Sequence, residues 1–481
     1  MQNLVHLMTG RSRTSVLMTD GYKFSMAQAG FPLREETFYL VLRKGGPHYT
    51  PPYDLGALVM ALLPEPATTE ESAFLTAYGY GMTAAMEKAL RSMVRVHAAP
   101  PNTWVMAGEP ILTVTGPSFL VSWLEPLLIS LQAQIQMATA IRRGQREFSV
   151  SCLDEALILR NMEKHLYGVS LDIHMELEEF RLQVQSRALQ IKEALNGETY
   201  RTFEVGMRAA SCMAQHRIAL TACFQYGVSK TSNVYLAKEL GMTPVGTTGH
   251  EHQQRWGNDL DAFRAIRDMR STPPSYLFDT FDPYLSGIPA AIKVMAESEG
   301  PCSVRFDSGD QEKQLRLFLE AGNKIYPNFI FEDGYTAERT RTNEKFCADL
   351  GVDKTRRFYG FGGFLVPATF SRDAVSAVYK LTQTGDRPTM KFSDSGKGSV
   401  PGKPVIFRAV GDQAPDMGLI GQMDETPPEG YTFLANASPR DRQIWDQVFT
   451  RTDRPCITRV GPATEALMQE VRTFRDHQLA R

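Results

Sequence analysis

Residues 275–310 read SYLFDTFDPYLSGIPAAIKVMAESEGPCSVRFDSGD. Two short apolar runs, SYLF and CSVRF, each end in aspartate, with the helical segment IPAAIKVMAE between them. A strand, a helix of about 10–15 residues and a second strand make a βαβ unit, which commits the strands to a parallel sheet. The same rhythm extends both ways. FEVG and TPVG precede this stretch, NFIFEDG and RFYGFGG follow it, and helical segments separate them. So many parallel strands in succession predict a closed or nearly closed α/β barrel rather than an open sheet.

Outward from the barrel the pattern changes. Residues 1–145 mix strand-like runs (ETFYLVLRK, PILTVTG) with helical ones and predict an N-terminal α/β domain. The catalytic domain is assigned to 146–374; it opens with an amphipathic insert, read as helical from Glu147 to Leu195 through LDEALILRNMEKHL and then MELEEFRLQVQSRALQIKEAL. Residues 375–481 form a tail of loops, short strands and one last helix, too small to stand alone and expected to pack on the N-terminal domain.

Composition excludes several classes. A formal net charge of −2 gives no broad basic face, so no nucleic-acid partner is expected. The six cysteines include no C-x-x-C pair, which fits a reducing cytoplasm rather than a zinc ribbon or disulfide scaffold. The greasiest run, ILTVTGPSFLVSWLEPLLISL, is broken by Pro117, Glu125 and Pro126, and so reads as a buried strand entering a helix rather than a membrane span. The N-terminus carries no long apolar run, and no signal peptide is expected.

Chemistry gathers at the strand ends: Glu204 and Arg208, His250 and Glu251, Asp279 and Asp282, Arg305 with Asp307 and Asp310, Glu332 and Asp333, and Gly360 to Gly363. In an α/β barrel these ends converge on one face, where active sites are built. A single Asp307 or Asp310 is as well explained as a helix N-cap. The stretch PVGTTGHEHQQRW (244–256) poses the sharper question, because it spends two of nine histidines one residue apart. At a strand end, His250 and His252 would share a face and could hold a metal. The remaining histidines lie in the helical insert, in a helix body or outside the barrel, and Gln254 stands where H-E-x-x-H needs its second histidine. GFGG (360–363) and EDG (332–334) each follow a strand and offer free backbone N–H groups, as a phosphate cradle requires.

In order along the chain, LMTDGYKFSMAQAGF, TFYLVLRKGG, GEPILTVTGP, EVGMR, KTSNVYLA, GTTGHEH, LFDTFDPYLSG, VRFDSGD, GFGG and MKFSDSGKGSVPGKPVIFR resemble the nicotinate phosphoribosyltransferase family, from about Leu17 to Arg408. The wider type II phosphoribosyltransferase family includes nicotinamide-using relatives that share several of these elements. The resemblance implies an irregular α/β barrel with a second α/β domain built from the N-terminal region and the C-terminal tail. It implies transfer of phosphoribose from phosphoribosyl pyrophosphate (PRPP) to nicotinate, giving nicotinate mononucleotide and pyrophosphate. ATP hydrolysis through a phosphohistidine at His250 would assist, and Mg²⁺ would arrive with PRPP and ATP.

By the same resemblance Arg305, Asp307 and Asp279 would hold ribose and base, with Arg208 near the base or phosphate. Asp333, Gly334, Gly362 and Gly363 would cradle the 5′-phosphate, and Arg43 and Lys44 would reach the pyrophosphate or phosphohistidine. Glu251 or a neighbouring acid would fix the His250 tautomer. Tyr22 would cross a dimer interface, giving a homodimer with shared active sites. Ser232 stands where nicotinamide-using relatives carry aspartate; its hydroxyl can donate to the nicotinate carboxylate without adding negative charge. The chain departs from the pattern at Val205, where an aromatic usually stacks on the pyridine ring, and at Ala209, where a second arginine is usual. Phe203 is a candidate replacement for the aromatic. Three alternatives stay open: a nicotinamide phosphoribosyltransferase, a barrel metal hydrolase using the His-x-His pair, and a catalytically dead nucleotide sensor.

Overall fold

The computed structural model describes residues 1–165, 168–322, 326–392, 398–410, 417–450 and 457–480. The N-terminal region builds an antiparallel sheet from β1 (Glu35–Leu42), β2 (Arg95–Ala98) and β3 (Pro110–Pro117). The apolar run that follows β3 breaks into helix Ser118–Trp123 and helix α1 (Glu125–Arg142). Leu124 and Pro126 mark the junction, and the run stays inside the protein. Among the described residues no helix is long and apolar enough to cross a membrane.

The insert is less helical than its pattern predicts. Glu147–Val150 and Asp172–Met175 form a small parallel pair, and helices Leu153–Glu163 and Leu177–Ala194 follow the two strands. Ile173 and Met175 alternate with polar neighbours over only four residues, too short a signal to stand out between two helical patterns.

The barrel strands are β4 (Thr202–Glu204), β5 (Lys230–Thr231), β6 (Thr243–Pro244), β7 (Ser275–Leu277), β8 (Ser303–Phe306), β9 (Asn328–Phe331) and β10 (Arg357–Phe361). They form one parallel sheet in the order β6-β5-β4-β10-β9-β8-β7. The sheet is a curled half-barrel, because β6 and β7 are its two edges and do not pair with each other. Side chains bridge the open seam instead. Arg305 on β8 donates to Thr247 Oγ1 at 3.0 Å and to the Thr248 carbonyl at 2.6 Å, just beyond the end of β6. Short strands fed by Gly and Pro leave no backbone to close the ring.

The tail returns to the N-terminal domain. Strand β11 (Ala377–Thr384) pairs with the opposite edge of β1, with Leu40 against Tyr379 on one side and Leu112 on the other. A separate four-stranded sheet of residues 404–409, 417–422, 431–433 and 457–460 follows, then the terminal helix Pro462–Leu479. One continuous apolar core runs from Leu4 and Phe38 through Trp123 and Leu128 to Phe306 and Phe331. Part of the MKFSDSGKGS motif, residues 393–397, lies outside the described residues.

Candidate active site

The carboxyl ends of the barrel strands open on a cavity of about 600 Å³ whose far wall is the N-terminal sheet. The cavity gathers residues named from sequence: Tyr22, Arg43, Lys44, Arg208, His250, Arg305, Asp307, Asp333, Gly334, Gly362 and Gly363. Asp279 stands behind His250, with Oδ2 3.9 Å from Nε2. Ser232 is elsewhere. It lines a second, inner cavity of about 220 Å³ that shares Tyr22, Val205, Arg208, Arg305 and Glu332 with the first.

His250 does not end a strand. It opens the short helix α2 (His250–Trp256), which Gly257 closes in the left-handed conformation at φ 86°. Two positions along a helix turn a side chain through about 200°, so His250 and His252 face opposite ways. The His252 ring is buried on the Ala262 carbonyl at 2.8 Å, and burial lowers its pKa to about 3. This overturns the His-x-His metal pair. Glu251 also turns away, accepting from Lys23 Nζ at 2.8 Å and Ser122 Oγ at 2.7 Å. It therefore does not fix the His250 tautomer.

The His250 ring faces Thr280 Oγ1 through Nδ1 at 3.0 Å and Lys391 Nζ through Nε2 at 2.8 Å. An ammonium can only donate, so Nε2 presents its lone pair and the ring proton sits on Nδ1, donating to Thr280. Burial and the Lys391 charge both lower the His250 pKa, which keeps the imidazole neutral near pH 7. Asp307 Oδ2 lies 3.2 Å from the same Nε2.

The helix-cap explanation now separates two aspartates. Asp310 is the cap of helix Gln311–Ala321, accepting from Lys313 N at 3.0 Å. Asp307 caps nothing; it takes Arg305 Nη2 at 2.5 Å and faces His250. Burial pushes its carboxyl up, but Arg305, His250 and Lys391 together hold it well below the usual carboxylate range. Arg305 also meets Glu332 at 3.0 Å. Asp279 takes both the hydroxyl and the amide of Ser308, while its Oδ1 is buried with no hydrogen-bond partner. One atom each from His250, Asp279 and Asp307 lie within 4.8 Å of one another, close enough to share a cation. Lys391 Nζ, 3.8 Å from Asp279, already brings a positive charge to that cluster.

On the glycine-bearing side of the cavity, β9 ends in a turn where Asp333 and Gly334 are both left-handed, at φ 72° and 71°. Such successive residues aim backbone N–H groups into one concavity. Gly362 and Gly363 follow β10 beside it. Sequence reading missed three cations on this cavity, Arg372, Lys380 and Lys391, together with the acid Glu125, whereas Glu332, read as a strand-end acid, does line it. Burial, Lys391 and other nearby cations lower the Lys380 pKa to about 7 against the pull of Glu125.

Between the two cavities Arg208 stands 3.7 Å from Asp20 and 3.6 Å from Glu125, and Tyr22 donates to Glu125 at 3.0 Å. Val205 holds the position expected of an aromatic and lines both cavities; Phe203 lines only the inner one. Ala209 is buried beside them. The Ser232 hydroxyl donates to Asp20 Oδ1 at 2.6 Å. A hydroxyl has one proton, so the expected gift to a substrate carboxylate is already committed to Asp20.

No protein-family model matches the chain. Among curated proteins it is 26% identical over 293 residues to the nicotinate phosphoribosyltransferase of Bacillus subtilis, covering 59% of this chain and 55% of that protein. It is 23% identical over 354 residues to the human nicotinate phosphoribosyltransferase, covering 70% of this chain and 64% of that one. The chain thus spans little more than half the length of the Bacillus relative. Among solved structures, the nicotinate phosphoribosyltransferase of Porphyromonas gingivalis superposes with a TM-score of 0.57 at 19% identity, over 80% of this chain and 96% of that one. That of Vibrio cholerae superposes at 0.54 and 19%, over 80% and 89%. Sequence likeness to curated nicotinate phosphoribosyltransferases, joined to the half-barrel fold shared with these structures, supports the type II phosphoribosyltransferase family for this chain.

Proposed function

We propose that the chain is a nicotinate phosphoribosyltransferase, making nicotinate mononucleotide and pyrophosphate from nicotinate and PRPP, as a step toward NAD. The observation that carries this reading is the His250 ring. A neutral imidazole turns its Nε2 lone pair toward Lys391 at the edge of a cavity flanked by two glycine-bearing strand ends. The half that chemistry requires of the protein is to hold two phosphate groups and to stabilise positive charge at the anomeric carbon as pyrophosphate leaves. Asp307, kept ionised by Arg305, supplies a fixed negative charge for that carbon. Asp333–Gly334 and Gly362–Gly363 receive the 5′-phosphate, and Arg43, Lys44, Lys380 and Lys391 receive the pyrophosphate.

ATP assistance follows from His250. Nε2 attacks the γ-phosphorus, ADP leaves, and Lys391 pairs with the phosphoryl oxygens. Mg²⁺ bound with pyrophosphate or ATP supplies charge neutralisation, and Asp279 and Asp307 are the side chains that would face it. Their oxygens fit this use, since Asp279 Oδ1 is buried without a partner. Nicotinate is proposed over nicotinamide because Arg208 is the cation between the two cavities and position 232 adds no carboxylate. The proposed assembly is a homodimer.

The test is direct. The protein is incubated with PRPP, Mg²⁺ and ATP, with nicotinate, nicotinamide and quinolinate offered separately, and the mononucleotide is sought by chromatography. Formation from nicotinate supports the proposal. Ligand binding without turnover of any base points instead to a sensor.

A further inference from the structure

Two stretches 60 residues apart, SCLDE (151–155) and SCMAQ (211–215), repeat one pattern in the sequence. Each starts a helix: Cys152 is the N-cap of Leu153–Glu163 in the insert, and Cys212 the N-cap of Met213–Phe224 after β4. Neither thiol caps its own helix. Instead Glu155 accepts from the Ser151 amide at 2.7 Å, and Gln215 from the Ser211 amide at 2.9 Å. The two helix starts then interlock. Ser211 Oγ donates to Glu155 at 2.6 Å, and Gln215 Nε2 donates to Ser151 Oγ at 2.8 Å. Buried polar groups that satisfy one another hold both ends in a fixed register. That register leaves Cys152 Sγ 3.6 Å from Cys212 Sγ, with both residues buried.

The two sulfurs are in contact, and a disulfide needs them at about 2 Å. Cys152 is the more approachable, because Leu153, next in the chain, is 60% exposed. Contact with the Cys152 sulfur, burial and the Glu155 carboxylate push the Cys212 thiol well up, so Cys212 waits as a thiol. We propose that Cys152 and Cys212 are a site of reversible oxidation by hydrogen peroxide, closing to a disulfide that fastens the insert to the segment leading from Arg208. The Cys152 sulfur attacks one peroxide oxygen and becomes a sulfenic acid, while the other oxygen leaves as water. The Cys212 sulfur then displaces the sulfenic hydroxyl, which takes the Cys212 proton and leaves as a second water. Two thiols are oxidised and one peroxide is reduced. An external dithiol restores the pair by exchange. The segment from Arg208 has little slack, because the Gly206 carbonyl accepts from Ala209 N at 2.8 Å and from Ala210 N at 3.1 Å. Burial makes the reaction slow, and sulfurs already in contact make its product persistent.

The test needs no turnover. Reduced protein is exposed to hydrogen peroxide, quenched with an alkylating agent in denaturant, separated on a non-reducing gel and mapped by mass spectrometry. The expected product is a 152–212 crosslinked peptide, two hydrogens lighter than its parts, in the band of monomer mass and removed by dithiothreitol. The melting temperature should rise by a few degrees, because the bond joins residues 60 apart in the chain. Cys212→Ser should trap the first step, so that dimedone labels Cys152, whereas Cys152→Ser should give neither label nor crosslink. Cys302, partly exposed, reports delivery of the oxidant. The proposal is overturned if Cys302 is oxidised while Cys152 and Cys212 still alkylate as two thiols, or if their crosslink occurs only in a dimer-mass band. Should either serine variant fail to fold, the wild-type crosslink decides alone. Because no readout involves PRPP or nicotinate, the result stands whether or not the proposed transferase reaction is found.

Discussion

Lys391 Nζ lies 2.8 Å from His250 Nε2, although one residue belongs to the tail and the other to the barrel. Burial and this contact together lower the His250 pKa and leave Nε2 with its lone pair, the nitrogen proposed here as the nucleophile. His250→Ala should abolish ATP hydrolysis and leave slow, uncoupled transfer at high substrate. His252→Ala should leave the phosphoryl acceptor in place and cost stability instead, since it empties a buried site. Protein treated with labelled ATP should carry an acid-labile, base-stable phosphate that His250→Ala lacks and His252→Ala retains. Loss of the label in neither variant refutes the phosphohistidine.

Asp307 and Asp310 offer a matched pair. Asp307→Asn should lower kcat/KM by on the order of 10²-fold or more, because a charge facing the reacting carbon is lost at nearly constant shape. Asp310→Asn keeps a good cap and should change neither rate nor melting temperature appreciably. Equal, small effects at the two positions would return Asp307 to a purely structural role.

If the cavity takes pyrophosphate as proposed, Lys380 should make that binding depend on pH. Its pKa of about 7 leaves it mostly neutral at pH 8, and a bound anion favours the ammonium. Pyrophosphate binding at pH 8 should take up more protons in wild type than in Lys380→Met. At pH 6, where Lys380 is already charged, that difference should vanish. Titration calorimetry in two buffers of unlike ionisation enthalpy measures it. The sign for stability follows from the same shift: the unfolded chain binds the extra proton between pH about 7 and about 10.4, so Lys380 destabilises the fold below that window, and Lys380→Met should raise the melting temperature at pH 7.

Base choice is expected to rest on Arg208. Arg208→Gln should reduce kcat/KM for nicotinate by roughly 10²-fold while changing that for nicotinamide far less, since only the acid loses a charge partner. Ser232→Asp sets a second carboxylate against Asp20, and should weaken nicotinate use and lower stability together. Faster turnover of nicotinamide than of nicotinate by the wild type would overturn the assignment of the base.

Burial of Lys23 gives a stability prediction. Lys23→Met leaves Glu125 and Glu251 without their shared cation and should cost about 3–5 kcal/mol. Denaturant unfolding monitored by tryptophan fluorescence measures it, and a cost below about 1 kcal/mol would show the pair to be solvated.

The alternation of apolar runs and helices made the parallel sheet legible, because each barrel strand is short, apolar and followed by a polar or glycine end. Closure of the barrel was not legible, since it depends on whether β6 and β7 meet, and no local signal specifies that. GHEH misled because a polar strand end and a helix start look alike over four residues. The helix was marked by Gly257, a stop signal one residue beyond Trp256. Glu125 was visible only as an interruption of an apolar run, and that interruption is itself the cue to a buried, paired acid on the cavity wall. Lys380 interrupts AVYKLTQT in the same way. Lys391 carries no such cue. It reaches His250 through the pairing of β11 with β1, a contact made across most of the chain.

That pairing also sets an order in time. Synthesis of this protein completes every barrel strand before it reaches residue 391, so a chain stopped short of that point carries His250, Asp307 and the glycine turns but not the ammonium that stands beside His250 in the full structure. A fragment ending before residue 391 would therefore lack the Lys391 contact to His250 and, on the function proposed above, should not use PRPP.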